Sequence, residues 1–126
     1  MQAALDEVAA GVGGTGDRSA VTALSISAGV VNIDCALGDF FTLSLTANVT
    51  SITFSNLPAA GKGASIAVRI RQDATGSRTV ALPASFKVTG GSDTAVQSAA
   101  NAYTLLTLTT FDQGTRWEYA MQEIAA

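Results

Sequence analysis

The sequence predicts an all-β protein, an antiparallel β-sandwich or jelly-roll-like barrel. Apolar and polar residues alternate over short runs after residue 20, which is the side-chain period of half-buried strands. Clusters of Gly, Pro, Asn and Asp separate these runs at the spacing of turns. After residue 20, the sequence contains no amphipathic run long enough for a helix that would cover a sheet. Two sheets must therefore cover one another.

The chain of 126 residues is predicted to form one β-domain preceded by a short arm. We place the arm and a glycine hinge at residues 1–16 and the β-domain at residues 17–126. Three apolar residues of the arm, Leu5, Val8 and Val12, fall at helical spacing. A helix of this length is marginal on its own. We therefore expect these side chains to contact another surface, either that of a partner protein or that of the β-domain itself.

Four strands are predicted before residue 60, at residues 22–28, 30–34, 40–47 and 51–55. Each run alternates apolar and polar residues, and Gly or Asn marks the turns between several of them. Because alternate side chains of a strand point to opposite faces, the alternation also predicts which residues face the core. The expected core residues of these strands include Leu24, Ile26, Phe41, Leu43, Leu45, Ile52 and Phe54.

A β-hairpin is predicted around the segment Asp-Ala-Thr-Gly-Ser at residues 73–77. Residues 65–71 before it alternate, with apolar residues at the even positions, and residues 79–82 after it continue the alternation. Asp73 can accept a hydrogen bond from the backbone two residues on, and Gly76 can adopt a positive φ. The segment therefore has the residues that a tight reversal between two strands requires.

Three arginines, Arg69, Arg71 and Arg78, are expected on the solvent side of this hairpin, together with the carboxylate of Asp73. We take these three arginines, with Leu5, Val8 and Val12 of the arm, as the candidate interaction residues.

Three more strands are predicted at residues 86–88, 103–111 and 116–121. Leu105 in the second of these is expected either to be shared between the two faces or to lie at an interface. Aromatic residues that share one face of the last strand could stack on sugar rings, although same-face aromatic residues more often lie in a core. The residues expected to face inward here are Leu106, Leu108, Trp117, Tyr119 and Met121.

Several of these segments carry a family resemblance. Residues 72–80, Gln-Asp-Ala-Thr-Gly-Ser-Arg-Thr-Val, are followed by Leu-Pro at residues 82–83 and by Gly-Gly at residues 90–91. A late run of alternating Leu and Thr then closes on Asp-Gln-Gly-Thr-Arg-Trp at residues 112–117. This pattern resembles the small β-domains of tailed-bacteriophage virion proteins, over residues 64–119. Such domains occur in tail-fibre and receptor-binding proteins and in stand-alone head proteins.

The resemblance implies a virion structural protein that acts by binding and not by catalysis. The preferred interpretation is a head decoration, or cement, protein on the capsid surface. In that role, homotrimers would clamp neighbouring subunits of the major capsid protein, and the arm would tie the β-domain to the particle. The alternative is a tail-fibre or receptor-binding module that recognises carbohydrate on the host surface. The two interpretations differ in where on the virion the protein lies.

Charge and apolar content argue against two classes of partner. The formal net charge is −3 and no run is rich in lysine or arginine, whereas neutralising phosphates requires clustered cations. We therefore expect no binding to nucleic acid. No run approaches the roughly 20 apolar residues of a membrane-spanning helix, so we expect no membrane partner.

Catalytic and cofactor motifs are not predicted. The sequence contains no histidine, which removes the commonest general base and metal ligand. Cys35 follows Asp34, whose charge raises the pKa of a thiol, and the aspartates fall at strand ends and turns, where they bond the local backbone. The glycine run at residues 11–16 matches G-x-G-x-x-G but does not join a strand to a helix, so we interpret it as a hinge. We expect no cofactor.

Overall fold

The computed structural model describes residues 17–125, in which all regular secondary structure is β. It contains eight strands: β1 (Val21–Ala23), β2 (Val30–Asp34), β3 (Phe40–Leu45), β4 (Ser51–Ser55), β5 (Ala64–Gln72), β6 (Phe86–Val88), β7 (Tyr103–Thr110) and β8 (Trp117–Ile124). The predicted all-β class is confirmed. No helix among these residues has the length and hydropathy needed to cross a membrane. The predicted arm and hinge, with Leu5, Val8 and Val12, lie outside the described residues.

The strands form two sheets. The large sheet has six strands in the order β1-β3-β5-β7-β8-β6, and the small sheet pairs β2 with β4. This arrangement is consistent with the predicted sandwich-like fold. The prediction of antiparallel strands holds only for β5–β7 and β7–β8, because β1–β3, β3–β5, β2–β4 and β6–β8 are parallel. The large sheet is therefore mixed.

The parallel pairs follow from the path of the chain. Successive strands from β1 to β5 alternate between the two sheets, so strands that are neighbours in a sheet are two apart in the sequence. A chain that crosses to the other sheet and returns re-enters the first sheet in its original direction. Next to the small sheet, Val49, which precedes β4, forms an isolated parallel bridge with Val80.

The core lies between the two sheets and contains the side chains that the alternation predicts. Phe54 of β4 stacks on Trp117 of β8, with ring centroids 4.6 Å apart, and this contact joins the small layer to the large one. Trp117 is fully buried, and its indole nitrogen has no hydrogen-bond partner among residues 17–125, so its contribution is packing. The predicted inward residues that are buried are Phe41, Leu43, Leu45, Ile66, Val68, Ile70, Leu106, Leu108, Trp117, Tyr119 and Met121.

The hairpin prediction is wrong in its second strand. β5 is paired on one side with β3 and on the other with β7, so both of its edges are occupied before residues 79–82 return. Of those returning residues, Val80 forms a bridge with Val49 and not with β5. The buried side chain of Gln72 makes the contacts instead. Its Oε1 accepts from the backbone N–H of Arg78 at 3.1 Å, and its Nε2 donates to the Arg78 carbonyl at 2.8 Å.

The turn that follows β5 does form. Oδ1 of Asp73 accepts hydrogen bonds from the backbone N–H groups of Thr75 and Gly76, at 3.0 and 2.9 Å. Gly76 has a φ of +73°, and a Cβ at that position would lie 2.9 Å from the backbone of Ser98 and Ala100. The prediction of a local Asp and Gly turn is therefore confirmed, and it leads into a loop instead of a paired strand.

The predicted first strand is shorter than expected. β1 ends at Ala23, although the alternation continues to residue 28. Leu24 and Ile26 are partly buried against the core, and Ser27 and Val30 form an isolated bridge. The alternation in this segment therefore predicts correctly which side chains contact the core. It does not predict a continuous strand, because a buried segment still needs a neighbouring strand to pair with.

Candidate functional site

The candidate site is the side of the large sheet that faces away from the small sheet, which we call the open sheet face. The central strands β3, β5 and β7 send alternate side chains to the core and to this face. In β5 the buried residues alternate with Ser65, Ala67, Arg69 and Arg71. The open sheet face therefore takes its side chains from the same strands that build the core.

An apolar strip crosses one part of this face. Val21, Phe40 and Ala67 stand in register on the adjacent strands β1, β3 and β5, and Leu105 lies on β7. Val21 is 67% exposed, Phe40 is 47% exposed and Leu105 is 37% exposed. Together with Arg69 they line a shallow depression of about 390 Å³. Single exposed apolar residues are ordinary, but a contiguous patch beside charged groups is typical of a binding surface.

Arg69, Arg71 and Tyr103 lie beside this strip, and we call them the arginine–tyrosine cluster. Arg71 is directly opposite Tyr103 in the β5–β7 ladder, and Arg69 is opposite Leu105. The guanidinium carbons of Arg69 and Arg71 are 5.4 and 5.5 Å from the centroid of the tyrosine ring. These distances are within the range of cation–π attraction. Nη2 of Arg71 also donates a long hydrogen bond of 3.4 Å to Oδ1 of Asn101.

The charges of the cluster are not neutralised by described carboxylates. Three other arginines form ion pairs, in the pairs Arg18–Asp39, Arg78–Asp73 and Arg116–Glu118. Among residues 17–125, no carboxylate oxygen lies within 4.0 Å of a guanidinium nitrogen of Arg69 or Arg71. Two guanidinium groups therefore lie close together on one face of β5, held against an aromatic ring. This arrangement favours an anionic ligand, since charge-assisted hydrogen bonds from guanidinium to an oxyanion are strong.

The structure separates the three predicted arginines. Arg69 and Arg71 point to the open sheet face, whereas Arg78 lies in the loop after β5. There Nη2 of Arg78 donates to Oδ2 of Asp73 at 3.1 Å. The pKa of Asp73 is below its ordinary value, first because its carboxylate accepts from the Gly76 N–H and also because Arg78 is adjacent. Arg78 therefore stabilises its own turn.

Sequence reasoning missed Tyr103 and placed the aromatic alternative elsewhere. Trp117 and Tyr119 are 0% and 5% exposed and lie in the core, so they form no carbohydrate platform. Tyr103 is half-buried on the opposite side of the sheet. The alternation of β7 places Tyr103 and Leu105 on the same face, but only the pairing of β7 with β5 brings them to Arg69 and Arg71.

The potential catalytic groups have structural surroundings. Cys35 is buried, and burial is the main cause that raises the pKa of its thiol, with Asp34 and Asp39 adding to that effect and Arg18 opposing it. Asp34 and Asp112 accept local backbone hydrogen bonds, as the turn interpretation predicts. Within residues 17–125, no three acidic or cysteine side chains lie together as metal ligands would.

Comparison with known protein families gives a match over residues 30–115, from the start of β2 to the turn before β8. The matching family is described as "Putative phage tail fibre C-terminal domain". No curated protein matches, and no solved structure matches. The resemblance to phage virion β-domains is confirmed, and the family favours the tail-fibre alternative over the head-decoration interpretation. The match covers well over half of the chain and contains the arginine–tyrosine cluster, so the chain belongs to the phage tail fibre C-terminal domain family and is a structural component of a phage virion.

Proposed function

We propose that this protein is a host-recognition module of a phage tail, which binds carbohydrate on the host surface through its open sheet face. The observation that carries the proposal is a contiguous exposed surface of apolar and cationic side chains on the central strands of a domain of this family. The buried face of the same sheet is fully used by the core. Within residues 17–125, the open sheet face is therefore the one that remains for recognition.

The chemistry of this face suits a sugar. A sugar ring presents an apolar C–H surface and a rim of hydroxyl groups. Phe40 and Leu105 offer apolar surface, and the side chains of Thr42 and Arg69 at the same depression offer hydrogen-bonding groups. All four residues lie on paired strands, so little side-chain or loop ordering is required on binding.

The proposed action is binding without bond cleavage. The family is a structural one, and the sequence has no histidine to act as a general base. The Cys35 thiol is buried with a raised pKa, which disfavours the reactive thiolate. Affinity for a single sugar site is typically modest, so several copies acting together would strengthen attachment.

The homotrimer and the major capsid protein as partner stay predictions. The homotrimer fits the proposal, because three copies would present three open sheet faces to one cell surface. Sedimentation equilibrium of the full chain at tens of micromolar measures its oligomeric state directly. The capsid partner belongs to the head-decoration interpretation.

The test uses the purified full chain and the phage that carries it. The protein should bind susceptible host cells saturably, and it should slow adsorption of the phage by competition. Periodate oxidation of the cell-surface sugars should abolish the binding. Gold-labelled antibody should mark the tail of the particle. Label confined to the head, or a protein that does not bind susceptible cells, would overturn the proposal.

A further inference from the structure

We propose that the arginine–tyrosine cluster recognises a negatively charged sugar of the host-surface polysaccharide, whose carboxylate or phosphate group binds Arg69 and Arg71. This inference rests on the proposed function and adds to it the chemical class of the ligand. It is carried by the charge state of the cluster, by the way the tyrosine ring holds the guanidinium groups, and by the apolar depression beside them.

The other arginines of the protein form ion pairs. Arg18, Arg78 and Arg116 each have a carboxylate partner, in a protein whose net charge is −3. Arg69 and Arg71 have no such partner among the described residues, although they are two positions apart on the same face of β5. Side chains at this spacing are about 7 Å apart at the backbone, so their like charges repel one another. An oxyanion placed between them would be attracted to both.

The tyrosine ring supports the two guanidinium groups for that contact. Each guanidinium carbon lies within 5.5 Å of the centroid of the Tyr103 ring. An arginine held against an aromatic ring retains N–H groups that can donate to a carboxylate or phosphate in a bidentate manner. Since Tyr103 is half-buried and lies on a central strand, it limits the motion of both arginines before the ligand arrives.

The apolar strip can contact the part of the sugar that does not carry the acidic group. Leu105 is the ladder partner of Arg69, and Phe40 and Arg69 line the same depression. A sugar whose acidic group reaches Arg69 and Arg71 can therefore lay its C–H surface against Leu105 and Phe40. The two kinds of contact select for an acidic sugar, because a simple anion leaves the strip uncovered and a neutral sugar leaves the arginines unpaired.

Nucleic acid fits the cluster poorly. Phosphate backbones are bound by extended sets of cations, and this surface offers two arginines within an acidic protein. The alternative explanation of the cluster is a purely structural role, because a cross-strand pair of arginine and tyrosine also stabilises a sheet to a small extent. The experiment is designed to separate that role from ligand binding.

The ligand in the test is polysaccharide extracted from the susceptible host, used in three forms. The first is native, the second has its carboxyl groups reduced to alcohols, and the third has its phosphate esters removed with hydrofluoric acid. The full-length protein should bind the native form, and binding should weaken at least about tenfold for one of the two modified forms. The form that loses affinity identifies the anion as a carboxylate or a phosphate. Equal binding to all three forms would overturn the inference.

The matched variants remove the same charge from two parts of the protein surface. The double substitution Arg69→Gln and Arg71→Gln should weaken binding to native polysaccharide at least about tenfold. The control double substitution Lys87→Gln and Arg116→Gln removes two positive charges near the β6 edge and should leave the affinity within about twofold. Arg69→Lys with Arg71→Lys retains the charge but not the planar fork, so its affinity should lie between those of the wild type and the glutamine variant.

Two further readouts complete the test. Circular dichroism melting of the glutamine variant should match the wild type, and sedimentation should give the same oligomeric state. If the variant binds host cells and polysaccharide as tightly as the wild type, the cluster is not the site, while host binding itself survives. If the variant instead changes the oligomeric state, the face lies between copies of the chain and the inference fails. A wild-type protein that binds no host cells would overturn the proposed function first.

Discussion

The two faces of the large sheet are built by the same strands and have opposite uses. In β3 the neighbours Phe40 and Phe41 have the same side chain, yet Phe40 is 47% exposed and Phe41 is 2% exposed. In β5 the neighbours Arg71 and Gln72 likewise divide between the open sheet face and the interior. The comparison shows that residues one position apart can be assigned separately to recognition and to stability. Substitutions should then affect one property without the other.

The largest expected effect tests the two phenylalanines directly. Phe41→Ala should lower the free energy of unfolding by about 3–5 kcal/mol, because it removes a buried aromatic side chain and leaves a cavity. Phe40→Ala should lower it by about 0.5 kcal/mol or less, and under the proposed function it should weaken binding to host polysaccharide. Urea denaturation measures the first quantity for both variants. Equal losses of stability would contradict the division between the faces.

A second pair concerns the turn that follows β5, which belongs to neither face. Gly76→Ala places a Cβ 2.9 Å from the backbone of Ser98 and Ala100, whereas the same change at Gly91, with φ of +80°, meets open space. In both variants an alanine must adopt a left-handed backbone conformation, which has a similar cost at the two positions. The difference between their free energies of unfolding therefore measures the effect of the close contact between the new Cβ and the backbone. We expect Gly76→Ala to be less stable than Gly91→Ala by about 1–3 kcal/mol. Identical melting temperatures would show that the loop moves away without cost.

The third pair extends the comparison to polar residues. Gln72→Leu puts an apolar side chain in place of the buried amide and removes the hydrogen bonds to Arg78 and to the carbonyl of Gln97. The groups left unpaired should lower the free energy of unfolding by about 1–3 kcal/mol. Arg71→Gln, one position earlier and exposed, should change it by no more than about 0.5 kcal/mol. A stable Gln72→Leu protein would mean that water replaces the lost bonds.

The smallest expected effect is a pH dependence at Asp73. Its pKa is lowered in the folded protein, chiefly by the Gly76 N–H, so its ionised form stabilises the fold. That contribution is present above the unfolded-state pKa of about 4 and is lost as the pH falls through the lower folded-state value. Asp73→Asn retains an acceptor oxygen without the charge. Its melting temperature should therefore fall less than that of the wild type between about pH 5 and about pH 2.

The prediction for Asp73 is contradicted if the melting temperatures of the two proteins fall in parallel as the pH is lowered. If the wild type and Asp73→Asn lose stability equally over this range, the ionised carboxylate of Asp73 contributes nothing to the fold. The pKa of Asp34 is also below its ordinary value, first because its carboxylate accepts from the side chain of Asn56 and then because it accepts from the Ala36 N–H.

Much of the local structure was predictable from residue order. The bounds of β2, β4 and β6 agree with the predicted runs, and the inward residues of β3, β5, β7 and β8 are buried as expected. The Asp73 and Gly76 turn was also predictable. These features depend on neighbouring residues, because the period of two assigns each side chain to a face and turn chemistry is local. The family resemblance rests on the same segments, and it is confirmed.

Strand pairing and the candidate site required the folded chain. The alternation of a strand is the same whether its neighbour is parallel or antiparallel, so it predicted neither the parallel pairs nor the loss of the hairpin. Arg71 and Tyr103 are more than 30 residues apart, and only the β5–β7 ladder makes them opposite residues. Which strand occupies each edge depends on competition among distant segments and on the cost of closing the loops between them. Residue order thus specifies which side chains each strand turns outward, and the pairing of distant strands assembles two arginines and a tyrosine into one surface.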